Sequence, residues 1–191
     1  MKRLFDLVFS FLGLVLLFPI LFFIGIAVKL DSKGAAFFKQ TRVGKNNKDF
    51  KIYKFRTMYN NADKEGLLTI GNNDHRITKI GYYLRKYKID EWPQLINVLI
   101  GNMSFVGPRP ELKSYVNHYN AAQKQVLNYK PGITDLASIK YRNESELLAQ
   151  QTNPEDFYIK NILPDKIKIN LTYIKQRSLL KDIKIIFKTI L

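Results

Sequence analysis

Residues 7–28 read LVFSFLGLVLLFPILFFIGIAV, 22 positions without a charge, broken in apolar character only by Ser10, Gly13, Pro19 and Gly25. As a helix this stretch is about 33 Å long, against a hydrocarbon core of about 30 Å. A secretory signal peptide has a shorter apolar core followed by a small-residue cleavage site. Here the chain instead runs on through Ala27, Val28, Lys29, Leu30 and Asp31. Lys2 and Arg3 precede the stretch and Lys29 and Lys33 follow it, so both flanks carry the charge that marks a cytoplasmic side. Pro19 removes one helix hydrogen bond and its ring crowds the carbonyl of Val15. A break there leaves arms of 12 and 10 residues, each about 15–18 Å long and able to enter half a bilayer and return. Residues 1–30 are therefore expected to form a membrane-inserted, re-entrant helical hairpin broken at Pro19. A kinked single span is the alternative.

Outside this segment the chain reads as one basic globular domain, residues 31–191. The whole sequence has 191 residues, 31 Lys and Arg against 16 Asp and Glu, and a net charge of +15. That length suits a single hydrophobic core. With no cysteine and only His75 and His118, disulfide scaffolds, thiolate metal sites and thiol catalysis are excluded. The charge calls for an anionic partner: phosphorylated substrate, anionic membrane or nucleic acid. The elements read as α+β, predominantly helical. Ala36–Thr41 and Asp49–Phe55 are short strands around a turn at Gly44–Asn47. Asn60–Asp74 is a polar loop long enough to suggest a lid. Ile77, Ile80, Leu84 and Tyr87 share a helical face, and Pro93 opens a short helix that Gly101 stops. Leu112, Tyr115, Val116, Tyr119, Ala122 and Val126 predict a helix after Pro110, and Ile133–Tyr141 a strand. Pro164 starts a further helix. Leu179, Ile183, Ile186 and Ile190 then form a stripe beside Lys181, Lys184 and Lys188, suited equally to a membrane interface or to core packing.

The basic residues cluster ahead of one acidic pair. Lys33 to Arg56 holds eight bases against Asp49, and Arg76 to Lys88 holds five with no acid. Both runs precede Asp90-Glu91, followed by Trp92-Pro93 at a helix start. Two carboxylates there, with phosphate oxygens, make a natural magnesium site. Eighteen residues after Glu91 comes Gly107-Pro108-Arg109-Pro110. Its prolines hold the backbone on either side of a guanidinium that grips phosphate through paired hydrogen bonds.

These motifs stand in a familiar order. Asp90-Glu91-Trp92-Pro93-Gln94-Leu95, Asn97-Val98, Gly101-Asn102-Met103-Ser104 and Val106-Gly107-Pro108-Arg109-Pro110 resemble the bacterial sugar transferase family, small monotopic phosphoglycosyl transferases acting on polyprenyl phosphates. The resemblance extends through Gln40–Gly44, Tyr53–Met58 and Pro131–Thr134, nearly the whole chain, which looks like the family's minimal catalytic unit. It implies an inner-membrane enzyme, its catalytic domain on the cytosolic face. Such an enzyme moves a phosphosugar from a UDP-sugar to polyprenyl phosphate with Mg²⁺ and releases UMP. It implies that Asp90 is the nucleophile, forming an aspartyl phosphosugar, and that Glu91 serves magnesium and positioning. Lys54, Arg56, Arg109 and Arg142 are implied as phosphate or substrate contacts. The chain departs from the family at Phe18-Pro19, where Ser-Pro is common. It departs again at Asp135-Leu136-Ala137, where many members have Gly-Trp-Ala, a difference that suggests sugar recognition. Asn102 stands where an acid is common.

The rival reading is a membrane-tethered nucleic-acid-binding or scaffold protein without catalysis. Its support is Asp49–Arg56, DFKIYKFR, where aromatics and bases interleave as on stacking surfaces. Phe50, Ile52, Lys54 and Arg56 share one side, however, so no clean aromatic platform forms, and no nucleic-acid is expected as a partner.

Overall fold

The apolar stretch and its flanks form one helix, α1 (Lys2–Asp31), in a computed structural model that describes residues 1–62, 66, 68–71 and 74–190, the Ile190 side chain excepted. α1 is long and apolar enough to cross a membrane, and only 6% of its most apolar 18-residue window is buried. The helix does not stop at Pro19. An interior proline removes one hydrogen bond and crowds the preceding turn, which bends a helix but does not end it when both ends are held. The two separate arms expected from the sequence are thus corrected to a single continuous helix.

Both ends of α1 are held, and by the same domain. At the first turn Lys2 donates to Asp182 at 2.7 Å and to the Val106 carbonyl at 2.8 Å. Arg3 donates to the carbonyls of Val98 and Leu99 at 2.6 and 2.8 Å. Buried Asp6 accepts from the Ser104 hydroxyl and the Phe105 N–H. At the last turn Val28 joins Phe55 and Leu84 in a small core flanked by Leu21, Ile24, Ile80 and Ile89.

The strands and the remaining helices follow from local rules. β1 (Phe37–Val43) and β2 (Asp49–Phe55) pair antiparallel, from Phe37 opposite Phe55 to Val43 opposite Asp49. Asn46 and Asn47 take positive φ at the tip, a region Asn tolerates better than most residues. α2 (Lys79–Lys86) is capped by Thr78, whose hydroxyl accepts from Gly81 N–H, while Asp31 accepts from Ile80 N–H. α3 (Gln94–Leu99) packs along α1.

β3 (Ser104–Val106) pairs in parallel with β4 (Gly132–Thr134). The long helix expected between them is instead α4 (Lys113–Val116) and a 3-10 segment, Gln123–Asn128. Asn120 and Gln123 exchange side-chain and backbone hydrogen bonds, each at 2.9 Å, a reciprocal cap that starts a new turn. Tyr115, Val116, Tyr119 and Val126 still reach the core. The strand expected over Ile133–Tyr141 ends at Thr134, because Asp135 caps α5 (Leu136–Lys140) through the Ser138 N–H.

The main core gathers Val43, Val106 and these residues against α6 (Glu144–Ala149), α7 (Pro154–Phe157) and α8 (Leu163–Lys175). A π-helical turn, Tyr158–Ile162, joins α7 to α8. α9 (Leu179–Ile190) buries Asp182 and Ile185 and leaves Leu180 and Phe187 exposed, so core and outward apolar faces coexist on it. The suspected lid at Asn60–Asp74 falls partly outside the described residues. In its described part Arg76 donates to the carbonyls of Ala62, Gly66 and Leu68.

Candidate active site

Asp90 and Glu91 sit on a 3-10 turn, Ile89–Glu91, between α2 and α3. Lys88 takes φ 58° there and reverses the chain after α2. The two carboxylates have opposite surroundings. Glu91 is gripped on both oxygens: Lys54 Nζ donates to Oε1 at 2.7 Å, Arg109 Nη1 to Oε2 at 3.1 Å, and Arg109 Nη2 to Oε1. Burial alone would raise its carboxyl, but Arg109 and Lys54 outweigh burial and hold it well below the usual range. Lys54 is itself lowered by burial, with Glu91 opposing. Arg109 is raised, first by Glu91.

Asp90 is 7% exposed, and among the described residues no donor reaches its carboxylate. Burial pushes that carboxyl above its ordinary value. Lys54, Arg85 and Lys88 pull down, Glu91 pushes up, and burial prevails. A carboxylate in this state is a stronger nucleophile than a paired one, because no hydrogen bond must be broken before it attacks.

Arg109 owes its place to two close-packed strand ends. Gly107 N–H donates to Thr134 O at 3.1 Å and Gly132 N–H to Pro108 O at 3.0 Å. A Cβ on Gly132 would come within 2.1 Å of Gly107 N, so only glycine permits the approach. Beside Arg109, Arg42 donates to Gln40 and to the Pro110 carbonyl and lies 3.7 Å from Glu111, which accepts from the Tyr158 hydroxyl. The sequence assigned no role to Arg42, Glu111 or Asn170, and to Asp135 only a bearing on sugar recognition. Their one visible signal is position, since Arg42 and Glu111 lie inside or directly after quoted motifs.

Two of the arginines expected at phosphate are engaged elsewhere. Arg56 is buried and donates to the carbonyls of Ser32 and Lys33 at 2.6 and 2.8 Å and to the Ser32 hydroxyl at 3.0 Å. It caps the C-terminal end of α1, where orphan carbonyls and the helix dipole favour a cation. Arg142 donates to the Lys188 carbonyl at 3.1 Å, in the last turn of α9. Neither joins the cluster around Glu91.

Asp90 and Glu91, expected from the sequence to share a magnesium ion, differ in how they fit one here. Both Glu91 oxygens are occupied by cationic donors, so Glu91 does not fit as a ligand in this arrangement. Asp90 fits as one ligand, having oxygen without a donor. No group of three or more His, Cys, Asp and Glu able to hold a metal occurs among the described residues. Mg²⁺ needs no such cage where substrate phosphates and water complete its shell.

A buried carboxylate that accepts no hydrogen bond thus stands beside two cations held by a second carboxylate, an arrangement able to bind phosphate oxygens. The chain belongs to the bacterial sugar transferase family, whose pattern matches residues 1–191. It is 40% identical over 193 residues to the UDP-glucose:undecaprenyl-phosphate glucose-1-phosphate transferase of Klebsiella pneumoniae, covering 99% of this chain and 39% of that protein. It is 35% identical over 195 residues to the UDP-N-acetylgalactosamine-undecaprenyl-phosphate N-acetylgalactosaminephosphotransferase of Aeromonas hydrophila, covering 99% and 42%. The chain thus spans about two fifths of the length of these relatives. It covers 93% of the exopolysaccharide production protein PSS of Rhizobium leguminosarum bv. phaseoli, at 37% identity over 198 residues.

Proposed function

We propose that the chain is a phosphoglycosyl transferase that moves a sugar 1-phosphate from a UDP-sugar to a polyprenyl phosphate such as undecaprenyl phosphate, the first step of a surface glycan. The observation that carries this reading is the contrast between Asp90, buried and without a donor, and Glu91, clamped by Lys54 and Arg109. The names of the relatives supply the substrate class. An Asp90 oxygen attacks the phosphorus that bears the sugar, and the bond from that phosphorus to the UMP oxygen breaks. The polyprenyl phosphate oxygen then attacks the same phosphorus and the acyl phosphate bond breaks, returning Asp90 as carboxylate. Lys54 and Arg109 hold the diphosphate, and Glu91 holds those two cations in register. Mg²⁺, when bound, adds positive charge to the diphosphate, with Asp90 its protein ligand.

α1 is proposed to enter the membrane and leave on the side it entered, with the domain on the cytosolic face. This rests on its apolar surface and on the contacts of both its ends with one domain. Part of the stretch that suggested nucleic-acid binding serves the fold and the cluster around Glu91. In β2 and just after it, Ile52 and Phe55 are buried, Lys54 pairs with Glu91 and Arg56 caps α1.

The test is UMP release from a panel of UDP-sugars, with Mg²⁺ and with or without polyprenyl phosphate. The expected result is turnover only with acceptor, and a burst of about one UMP per enzyme without it. Asp90→Asn should abolish both, and normal turnover in that variant would remove Asp90 as nucleophile.

A further inference from the structure

We infer that Asp135 is the positioning residue for Arg109, anchored in turn by Asn170 of α8; this rests on reading the Lys54–Glu91–Arg109 cluster as the diphosphate seat. The inference begins with a shortage of backbone donors. From Gly107 to Pro110 the chain has only two N–H groups, because Pro108 and Pro110 have none. The Gly107 N–H goes to Thr134 O. The Arg109 N–H is the other, and its acceptor is Asp135 Oδ2 at 2.9 Å.

Asp135 is 1% exposed and its carboxylate does three things at once. Besides fixing the Arg109 backbone, Oδ2 accepts from Asn170 Nδ2 at 2.9 Å, and Oδ1 accepts from Ser138 N–H at 2.5 Å to cap α5. The segment after β3, the segment after β4, and α8 are therefore joined at one side chain. With the Arg109 Cα fixed and prolines on both sides, the guanidinium reaches Glu91 from a single origin. A misplacement of about 1 Å at such a group costs far more in binding and rate than in stability. The departure at Asp135 from the family's common Gly-Trp-Ala thus bears on phosphate geometry. A side chain this buried, with its oxygens on backbone and amide donors, is not placed to read a sugar.

A double-mutant cycle tests this, because a residue that acts through Arg109 has no further effect once Arg109 is gone. The probe is UDP, titrated calorimetrically into the full chain in detergent. Asp135→Ala is expected to weaken UDP about tenfold. In an Arg109→Ala background the same change should add nothing. Unchanged UDP affinity in Asp135→Ala, or a loss that multiplies independently of Arg109, overturns the inference. Should Asp135→Ala not fold, the cycle is run with Asn170→Ala, which leaves the carboxylate and two of its donors. A loss of about threefold that vanishes without Arg109 supports the inference; no loss, or an independent one, overturns it. A wild-type chain that binds no UDP overturns instead the reading of the site, so the two failures are distinguishable.

Discussion

At the scale of single residues, the site holds two adjacent carboxylates of opposite cost to the fold. Glu91 stabilises its surroundings: Lys54 and Arg109, whose side chains are 18% and 35% exposed, would lose their shared partner without it. Asp90 works against the fold, since its burial is compensated by no donor. Its carboxyl is raised, so the sign follows directly. The neutral form carries no penalty below the ordinary value of 3.8, and stability is lost as pH rises through the elevated value. Asp90→Asn is therefore expected to unfold at the same temperature as the wild type in strong acid and at a higher temperature at neutral pH. The gain comes from removing a charge whose burial outweighs the attraction of Lys54, Arg85 and Lys88, while the side chain keeps its shape. Thermal unfolding in detergent at several pH values measures this. A neutral-pH midpoint at or below that of the wild type would mean that Asp90 is satisfied in a way the hydrogen bonds do not account for. Pairing a destabilised nucleophile with a stabilised neighbour is how catalytic sites commonly trade stability for reactivity.

At the scale of elements, what was legible in the sequence was whatever a local rule decides. The β1–β2 hairpin, α2, α3 and the C-terminal helices follow from periodicity, turn residues and caps within a few positions. The misread elements are those where one side chain overrules the period. Asn120 and Gln123 cut the apolar stripe from Leu112 to Val126 into two pieces, and Asp135 turns a strand into α5. Lys54, Asp90, Glu91 and Arg109 were legible as candidates because their motifs keep a fixed order, although Lys54 lies 37 positions from the Glu91 it contacts. Arg56 and Arg142 were not, because a guanidinium serves a helix C-terminus as well as a phosphate and only tertiary distance decides. Arg56→Lys distinguishes the two uses. A lysine keeps the charge but loses the fork that reaches Ser32 and Lys33 together. As a cap, it should cost about 2 kcal/mol of stability, read as a lower unfolding midpoint, and leave KM for the UDP-sugar within about twofold. A raised KM with an unchanged midpoint would restore Arg56 to the phosphate.

At the scale of the whole molecule, the decisive feature is a 30-residue helix whose middle faces outward and whose two ends are built into one domain. A soluble chain does not leave such a continuous apolar surface in water. A helix that crossed the bilayer, however, would carry one end away from the domain, breaking either the contacts of Lys2, Arg3 and Asp6 or those of Val28, Asp31 and Arg56. Those contacts include buried polar groups at both ends, Asp6 at one and Arg56 at the other, and leaving either unpaired in a low-dielectric setting costs several kcal/mol. Entering and leaving on one face keeps both sets. The +15 charge is compatible with this, since bases flank both ends and suit an anionic surface. The chain has no cysteine, so a single introduced thiol reports its own position without background. Leu4 and Leu30 are 67% and 82% exposed at the two ends and Leu16 is 78% exposed near the middle, so replacing them disturbs no packing. In sealed vesicles of one orientation, Leu4→Cys and Leu30→Cys should react with a membrane-impermeant maleimide from the same side. Leu16→Cys should react only after detergent is added. Reaction of the two ends from opposite sides would establish a full span and would require the domain to release one end of α1.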